Sequence, residues 1–256
     1  MRQLLRKIQF NLKMSLVGIW CTLVSIVFYL LSYPFYQRKW LSWAYAKALN
    51  VGVRFVLGIK VDVVGRDNML AGPAVITMNH QSNFDPLLQG PVFPKNAIII
   101  GKKDLLKIPF WGRLFRATNN IMVDRNARGD GEGSKNGAGV DEAITRLQAD
   151  DCYVWIFPEG TRSHGEGLGQ FKRGAFIMAI EAQVPIIPMI SKPLHYVLDI
   201  PNKIAKGGRH EIKILPSICT VGMTLNDLPE LITHCEQLYA KHLAAYLGCA
   251  PEDVFA

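Results

Sequence analysis

Residues 14–36 carry no charged side chain, and as a helix that stretch reaches about 35 Å, against a bilayer hydrocarbon core of about 30 Å. A chain with such a run must bury it in a core or give it to lipid. Arg2, Arg6, Lys7 and Lys13 precede it and Arg38 and Lys39 follow Pro34, so both flanks are basic and the positive-inside rule sets no orientation. Ala44-Tyr45-Ala46 mimics a signal-peptide cleavage site, but the apolar run is too long for one and Arg38-Lys39 intervene. Residues 40–58 stay apolar and aromatic, with Lys47, Asn50 and Arg54 on one helical stripe, an interfacial pattern. The alternative for this second segment is an amphipathic helix packed on its own domain. A single span, or two helices dipping into one leaflet, both fit; the matched basic flanks favour the second.

The formal net charge of +8 over 256 residues suits either nucleic acid or an anionic bilayer as partner. No predicted helix joins clustered basic residues to a reading surface, so nucleic acid is not expected. The five cysteines are scattered, without C-x-x-C, and read as free thiols in a reducing compartment. The histidines show no zinc spacing, and no metal is expected.

After Gly58 short apolar runs alternate with turn residues. This predicts an α/β fold, mixed, mostly a central β-sheet flanked by helices, behind an N-terminal helical membrane-associated segment. Two units follow: membrane-anchoring helices over 1–58 and an α/β domain over 59–256. Strands are expected at 60–64, 74–79, 97–100, 121–123, 153–157, 186–190 and 211–215. Helices are expected at 86–89, 109–117, 140–149, 174–183 and 228–247. The glycine-rich stretch 128–139 lacks G-x-x-x-x-G-K and reads as a surface loop.

Asn79-His80-Gln81-Ser82-Asn83-Phe84-Asp85 follows a strand and leads into Pro86. His80 and Asp85, five positions apart, converge only through a turn. Pro86 fits the first helical position, which makes Asp85 a natural N-cap whose carboxylate reaches back to His80. A carboxylate that fixes the tautomer and supports developing imidazolium charge makes His80 a competent general base. The alternative is a structural histidine bonded to the cap of the next helix, because an isolated H-x-x-x-x-D arises roughly 0.3 times by chance at this composition.

Phe157-Pro158-Glu159-Gly160-Thr161-Arg162-Ser163 also follows an apolar strand. Gly160 allows a positive φ or close approach, Arg162 offers a forked donor for a phosphate, and Glu159 is placed to orient that arginine or bind a substrate hydroxyl. Two more basic sites close strands, Gly101-Lys102-Lys103 and Asp124-Arg125. Cations at three strand ends suit one anionic pocket. In Val184-Pro185-Ile186-Ile187-Pro188 the prolines read as structural, marking strand entry and a kink.

In order and combination, these five segments resemble the glycerolipid acyltransferase family, and within it the bacterial 1-acyl-sn-glycerol-3-phosphate acyltransferases, over roughly residues 60–215. The resemblance implies transfer of a fatty acyl group from acyl-CoA or acyl carrier protein to the sn-2 hydroxyl of lysophosphatidic acid, giving phosphatidic acid in phospholipid biosynthesis. It implies His80 as general base and Asp85 as its orienting group, acceptor phosphate on Arg125 and Arg162 with Lys102 assisting, and an acceptor pocket shaped by Glu159, Gly160 and Thr161. No cofactor is needed beyond the thioester donor. Membrane lipids are the expected surroundings, at the inner (cytoplasmic) membrane with the site facing the cytoplasm. Asn119 stands where the family usually has glycine and His164 where a basic residue is common, and residues 128–139 form a longer segment than the pattern needs. Asparagine tolerates the left-handed conformation, so the turn at Asn119 is expected to persist.

Three rival readings remain at this level. A serine hydrolase lacks its G-x-S-x-G, because Thr161 stands where the first glycine belongs. Another acceptor, a different lysophospholipid or glycerol 3-phosphate, keeps the chemistry. A non-catalytic protein binding membrane lipid or acyl carrier protein would need neither His80 nor Asp85.

Overall fold

The computed structural model describes residues 2–107, 111–123, 138–149, 152–164 and 167–255. Two helices lead, α1 (Arg2–Leu31) and α2 (Lys39–Leu57). The chain then alternates through β1 (Ile59–Val64), β2 (Ala74–Met78), α3 (Asp85–Leu88), β3 (Ala97–Lys102), α4 (Trp111–Ala117), β4 (Ile121–Val123), α5 (Ala138–Ala149) and β5 (Tyr153–Ile156). It continues through α6 (Gly174–Ala182), β6 (Ile186–Ser191), the short pair β7 (Leu198–Asp199) and β8 (Ile204–Ala205), β9 (Gly208–Ile214) and α7 (Leu228–Leu247).

The seven-stranded sheet runs β1-β9-β6-β2-β5-β3-β4. Its pairs are parallel except β6 with β9, so β2 to β6 all point one way. The central strands β2 and β6 are buried at every residue, as continuous Val/Ile runs covered on both faces should be. Pro188 sits inside β6, where a missing N–H normally breaks a ladder. It is tolerated because pairing with β9 begins only at Met189.

Alternate residues of the sheet feed two cores. Val75, Val154, Ile186 and Ile190 face α5, α6 and α7, packing with Leu147, Phe176, Ala179 and Tyr239. Ile76, Met78, Trp155, Ile187 and Met189 face the other way, where Trp43 and Ala46 of α2 help cover them. Helix α2 is therefore one outer layer of the sheet and not an appendage beside it.

Helix α1 starts well before the uncharged run, because residues 2–13 are rich in Leu, Lys, Arg and Gln, all good helix formers. It lies antiparallel to α2: Trp20 Nε1 donates to the Ala48 carbonyl at 3.1 Å, and Ser25 Oγ pairs with the Tyr45 hydroxyl at 2.8 Å. Helix α2 ends where Gly58 turns left-handed at φ 70°, a conformation that glycine adopts freely. Among the described residues, α1 alone is long and apolar enough to cross a membrane.

The stripe Lys47, Asn50 and Arg54 does not form an interfacial face. Asn50 is buried and its Nδ2 donates to the Leu87 carbonyl at 2.9 Å, while Arg54 Nε donates to the Ile59 carbonyl at 3.3 Å. The polar edge of α2 points into the domain, and Val51 and Phe55 are exposed instead.

Candidate active site

Because β2, β5, β3 and β4 are parallel neighbours, their C-terminal ends open along one edge, the usual position of a binding crevice in α/β sheets. The loops after β2 and β5 carry His80 and residues 157–162 into it. Asn79 anchors the first loop: its side chain donates to the Ser191 carbonyl at 3.0 Å and accepts the Ser191 N–H at 2.7 Å, tying β2 to β6. Gln81 adds a second tether, donating to the Ser191 carbonyl and accepting the Leu194 N–H.

His80 Nδ1 and Asp85 Oδ2 lie 2.8 Å apart, with the Asp85 side chain 1% exposed and that of His80 17%. Asp85 is the first residue of α3 and not its N-cap; Phe84 holds that position and no side chain caps it. The carboxylate is committed elsewhere, since Oδ2 also accepts the Gln81 and Ser82 N–H groups at 2.6 and 2.8 Å. With three groups converging on one acceptor oxygen, the hydrogen-bond pattern selects the Nδ1–H tautomer and leaves the Nε2 lone pair for a proton. Phe157 stacks on the imidazole, with ring centroids 3.9 Å apart and 15° between planes. His80 is thus fixed from behind by Asp85 and on one face by Phe157.

His80 lines a cavity of about 460 Å³ together with Gly160, Thr161, Arg162 and Lys172, against apolar walls that include Ile100, Val123, Val140 and Ile156. A base, two cations and an apolar wall share one space. Gly160 has φ +69°, and a Cβ there would lie 3.2 Å from Lys172 Cγ, so glycine serves both the turn and the approach. Arg162 donates to Asn83 Oδ1 at 2.6 Å, which joins the second motif to the first. Asn119 takes φ 59°, the expected left-handed turn.

Glu159 does not line this cavity and does not pair with Arg162. It lies behind His80, 2% exposed, with Oε1 accepting the His80 N–H at 2.6 Å and Oε2 accepting the Gly169 N–H at 2.8 Å. Burial pushes its carboxyl up to about 7, against the pull of the His80 and Gly169 hydrogen bonds, with a further push from Asp85. Lys102 closes β3 at the same edge, but its side chain, like the whole of Arg125, lies outside the described residues. Lys172 was not singled out by sequence, and the available signal was the basic pair Lys172-Arg173 just ahead of α6. The buried His210 is no second base: it bonds Ser191 Oγ inside the fold, and burial pushes it down to about 4.

The chain matches the family model described as acyltransferase over residues 60–192. It is 35% identical over 177 residues to the 1-acyl-sn-glycerol-3-phosphate acyltransferase of Escherichia coli, covering 68% of each chain. Against the protein of that name from Haemophilus influenzae it is 33% identical over 190 residues, 74% of this chain and 76% of the relative. Against 1-acyl-sn-glycerol-3-phosphate acyltransferase alpha of Mus musculus it is 34% identical over 187 residues, 72% of this chain but 64% of the relative, just under two thirds of its length. Among solved structures it is similar to the 1-acyl-sn-glycerophosphate acyltransferase of Thermotoga maritima, with a TM-score of 0.70, 21% identity and 95% of each chain covered. At that identity the likeness establishes the fold.

Proposed function

The chain belongs to the acyltransferase family, and from that premise we propose that it moves a fatty acyl group from acyl-CoA or acyl carrier protein to the sn-2 hydroxyl of lysophosphatidic acid, producing phosphatidic acid. The observation that carries this reading is the 2.8 Å pair of His80 and Asp85 at a cavity that also holds Arg162 and Lys172. Nε2 of His80 takes the hydroxyl proton as the oxygen attacks the thioester carbonyl carbon. The carbon–sulfur bond then breaks, and the imidazolium returns the proton to the departing thiolate. Asp85 stabilises that imidazolium and keeps the ring from turning. A thioester is already activated, so a positioned and deprotonated hydroxyl suffices without a covalent enzyme intermediate. Arg162 and Lys172 supply the positive charge that an acceptor phosphate needs, and the apolar wall suits hydrocarbon. An apolar α1–α2 hairpin supports a site close to the bilayer, and the reading assigns the protein to the inner membrane with its site facing the cytoplasm, beside its donor.

The test is thiol release from acyl-CoA and acyl carrier protein by detergent-purified protein, with lysophosphatidic acid, lysophosphatidylcholine or glycerol 3-phosphate as acceptor. Release dependent on lysophosphatidic acid is expected, falling about 10²- to 10⁴-fold in His80→Ala with the unfolding temperature unchanged. Release with another acceptor alone moves the substrate, and a near-normal rate in a folded His80→Ala ends the general-base role.

A further inference from the structure

Lys172 reaches the catalytic cavity from a loop whose own residues do not set its path. Gly167 takes φ +111°, and at Gly169 a Cβ would lie 3.2 Å from Glu159 Oε2, so the segment bends at two glycines. Its course is fixed from outside, by acceptors for its main chain. The N–H groups of Leu168, Gly169, Phe171 and Lys172 donate in turn to the Val254 carbonyl at 2.8 Å, Glu159 Oε2 at 2.8 Å, Glu236 Oε1 at 2.8 Å and the Pro158 carbonyl at 2.7 Å. Pro158 and Glu159 belong to the loop after β5, whereas Glu236 comes from the last helix, α7.

Glu236 stands three positions before Tyr239, so both face the loop from one side of α7. The Tyr239 ring meets the Phe171 ring edge-on, with centroids 5.0 Å apart and 89° between planes, and its hydroxyl donates to Thr77 Oγ1 of β2 at 2.8 Å. Phe171 also stacks on Phe176 of α6, with centroids 6.0 Å apart. Because that ring is held by two aromatics and the residue is only 7% exposed, the Phe171 N–H cannot turn to water unless the main chain moves. The next residue is Lys172, whose stem passes over Gly160. Glu236 and Tyr239 both lie beyond residues 60–215, which carry the family resemblance.

We propose that Glu236 is a positioning residue for the cavity, bracing the 168–172 main chain from α7 so that Lys172 meets the acceptor. It rests on the acyl-transfer reading above, which supplies that acceptor. Glu236 touches no substrate and acts through the peptide ahead of Lys172. Without its carboxylate a buried donor is left unmade, and the loop relieves it by shifting, which carries the ammonium out of place.

In the full-length, detergent-purified protein, Glu236→Ala, Lys172→Ala and the double variant form a cycle, read by equilibrium binding of lysophosphatidic acid and of the phosphate-free 1-monoacylglycerol, neither of which requires turnover. Each single substitution is expected to weaken lysophosphatidic acid binding roughly tenfold, and the double variant no further than Lys172→Ala alone, because the brace acts through that lysine. Binding of 1-monoacylglycerol should stay within about twofold. Glu236→Gln keeps an acceptor oxygen and should restore binding. Amide exchange over 168–172 should quicken in Glu236→Ala while 74–78 in β2 keeps its protection, which separates a loosened loop from a loosened fold. If the alanine variant does not fold, Glu236→Asp, one methylene shorter, carries the same cycle. A double variant weakened by the product of the two singles, an equal loss for 1-monoacylglycerol, or unchanged binding in Glu236→Ala overturns the proposal. If the cycle holds but the wild type releases no thiol from either donor, the brace stands and the acyl-transfer reading falls.

Discussion

Both oxygens of Glu159 accept main-chain N–H groups, one from His80 and one from Gly169, in a position only 2% exposed. The side chain therefore holds the backbone of the proposed base and does not touch the cavity where substrate would lie. Its carboxyl, ordinarily near 4.5, is pushed up to about 7 by burial, so near neutral pH both forms are populated. For an acid whose folded pKa is raised, the stability contribution is complete below pH 4.5 and is lost as pH rises through 7. Function runs the other way, because the ionised form accepts both N–H groups best and anchors His80 most firmly. Glu159→Gln keeps the shape but turns an NH2 toward one of the two donors. It is expected to lower kcat at pH 8 by about tenfold or more while leaving both KM values within about twofold. Denaturant midpoints at pH 4.5, 7 and 8 should show the pH-dependent loss only in the wild type. If KM for lysophosphatidic acid rises and kcat holds, Glu159 contacts the acceptor as its motif suggests. The motif suggests Glu159 beside Arg162 or a substrate hydroxyl, and nothing in it tells which way a side chain after β5 turns, so the clamp on the His80 backbone was illegible.

At the scale of elements, the hairpin shows where reading by polarity fails. Asn50 and Arg54 looked like a water-facing edge, yet they satisfy the Leu87 and Ile59 carbonyls, and Asn50 fits only because Gly90 has no side chain; a Cβ there would lie 2.4 Å from Asn50 Cβ. Helix α2 buries Asn50 beside Leu49 and Val53 and leaves Val51 and Phe55 exposed, and periodicity reports the polar stripe without saying which side it faces. The central strands were legible because a strand buried on both faces is a continuous apolar run, as in 74–78 and 186–191. The two-residue strands β7 and β8 were not, being too short to carry a period. Helices α1 and α2 approach closely at Gly52, where a Cβ would stand 2.1 Å from the Trp20 ring. Gly52→Val is therefore expected to destabilise the protein by about 1–3 kcal/mol, as overpacking of a filled site does. Gly18→Val is the control, because nothing lies within 4 Å of its Cβ position, and its midpoint should match the wild type. Equal midpoints for Gly52→Val and Gly18→Val in detergent would mean that the hairpin packing is not part of the cooperative fold.

For the whole molecule, the question is how α1 meets a bilayer. Leu5, Ile8, Leu12, Ile19, Leu23, Val27 and Leu30 are all more than half exposed, and with Leu16 at 43% they recur every three or four residues down one flank. The opposite flank is occupied along its length. Phe10 and Val17 pack in one cluster with Leu57, Ile59, Leu194 and Leu198, and Val24 and Phe28 in another with Leu41, Leu114 and Ala117. Residues 10–28 cover about 27 Å of axis, close to the whole hydrocarbon thickness, so a crossing helix would drag β8 and α4 into lipid beside it. A helix bound on one side and apolar on the other is instead expected to lie in the plane of one leaflet, with the exposed Arg6 and Lys7 near headgroups and Lys13 held by the Leu57 and Ala205 carbonyls. Deleting α1 is a poor test, since it would also strip cover from Val53 and Leu57. Ile19→Ser with Leu23→Ser touches only the outer flank, and should shift the protein from anionic vesicles to solution at high salt without changing its unfolding midpoint. Geometry is decided by thiol labelling of Leu4→Cys, near the start of α1, and, separately, Tyr36→Cys, in the turn after it, both exposed, in a background with Cys21, Cys219 and Cys249 changed to serine. In sealed vesicles carrying outward-facing protein, an impermeant maleimide should reach both positions from outside. Labelling of one end only, with the other released by detergent, would make α1 a true span and require its packing against the α/β part to come apart in the membrane.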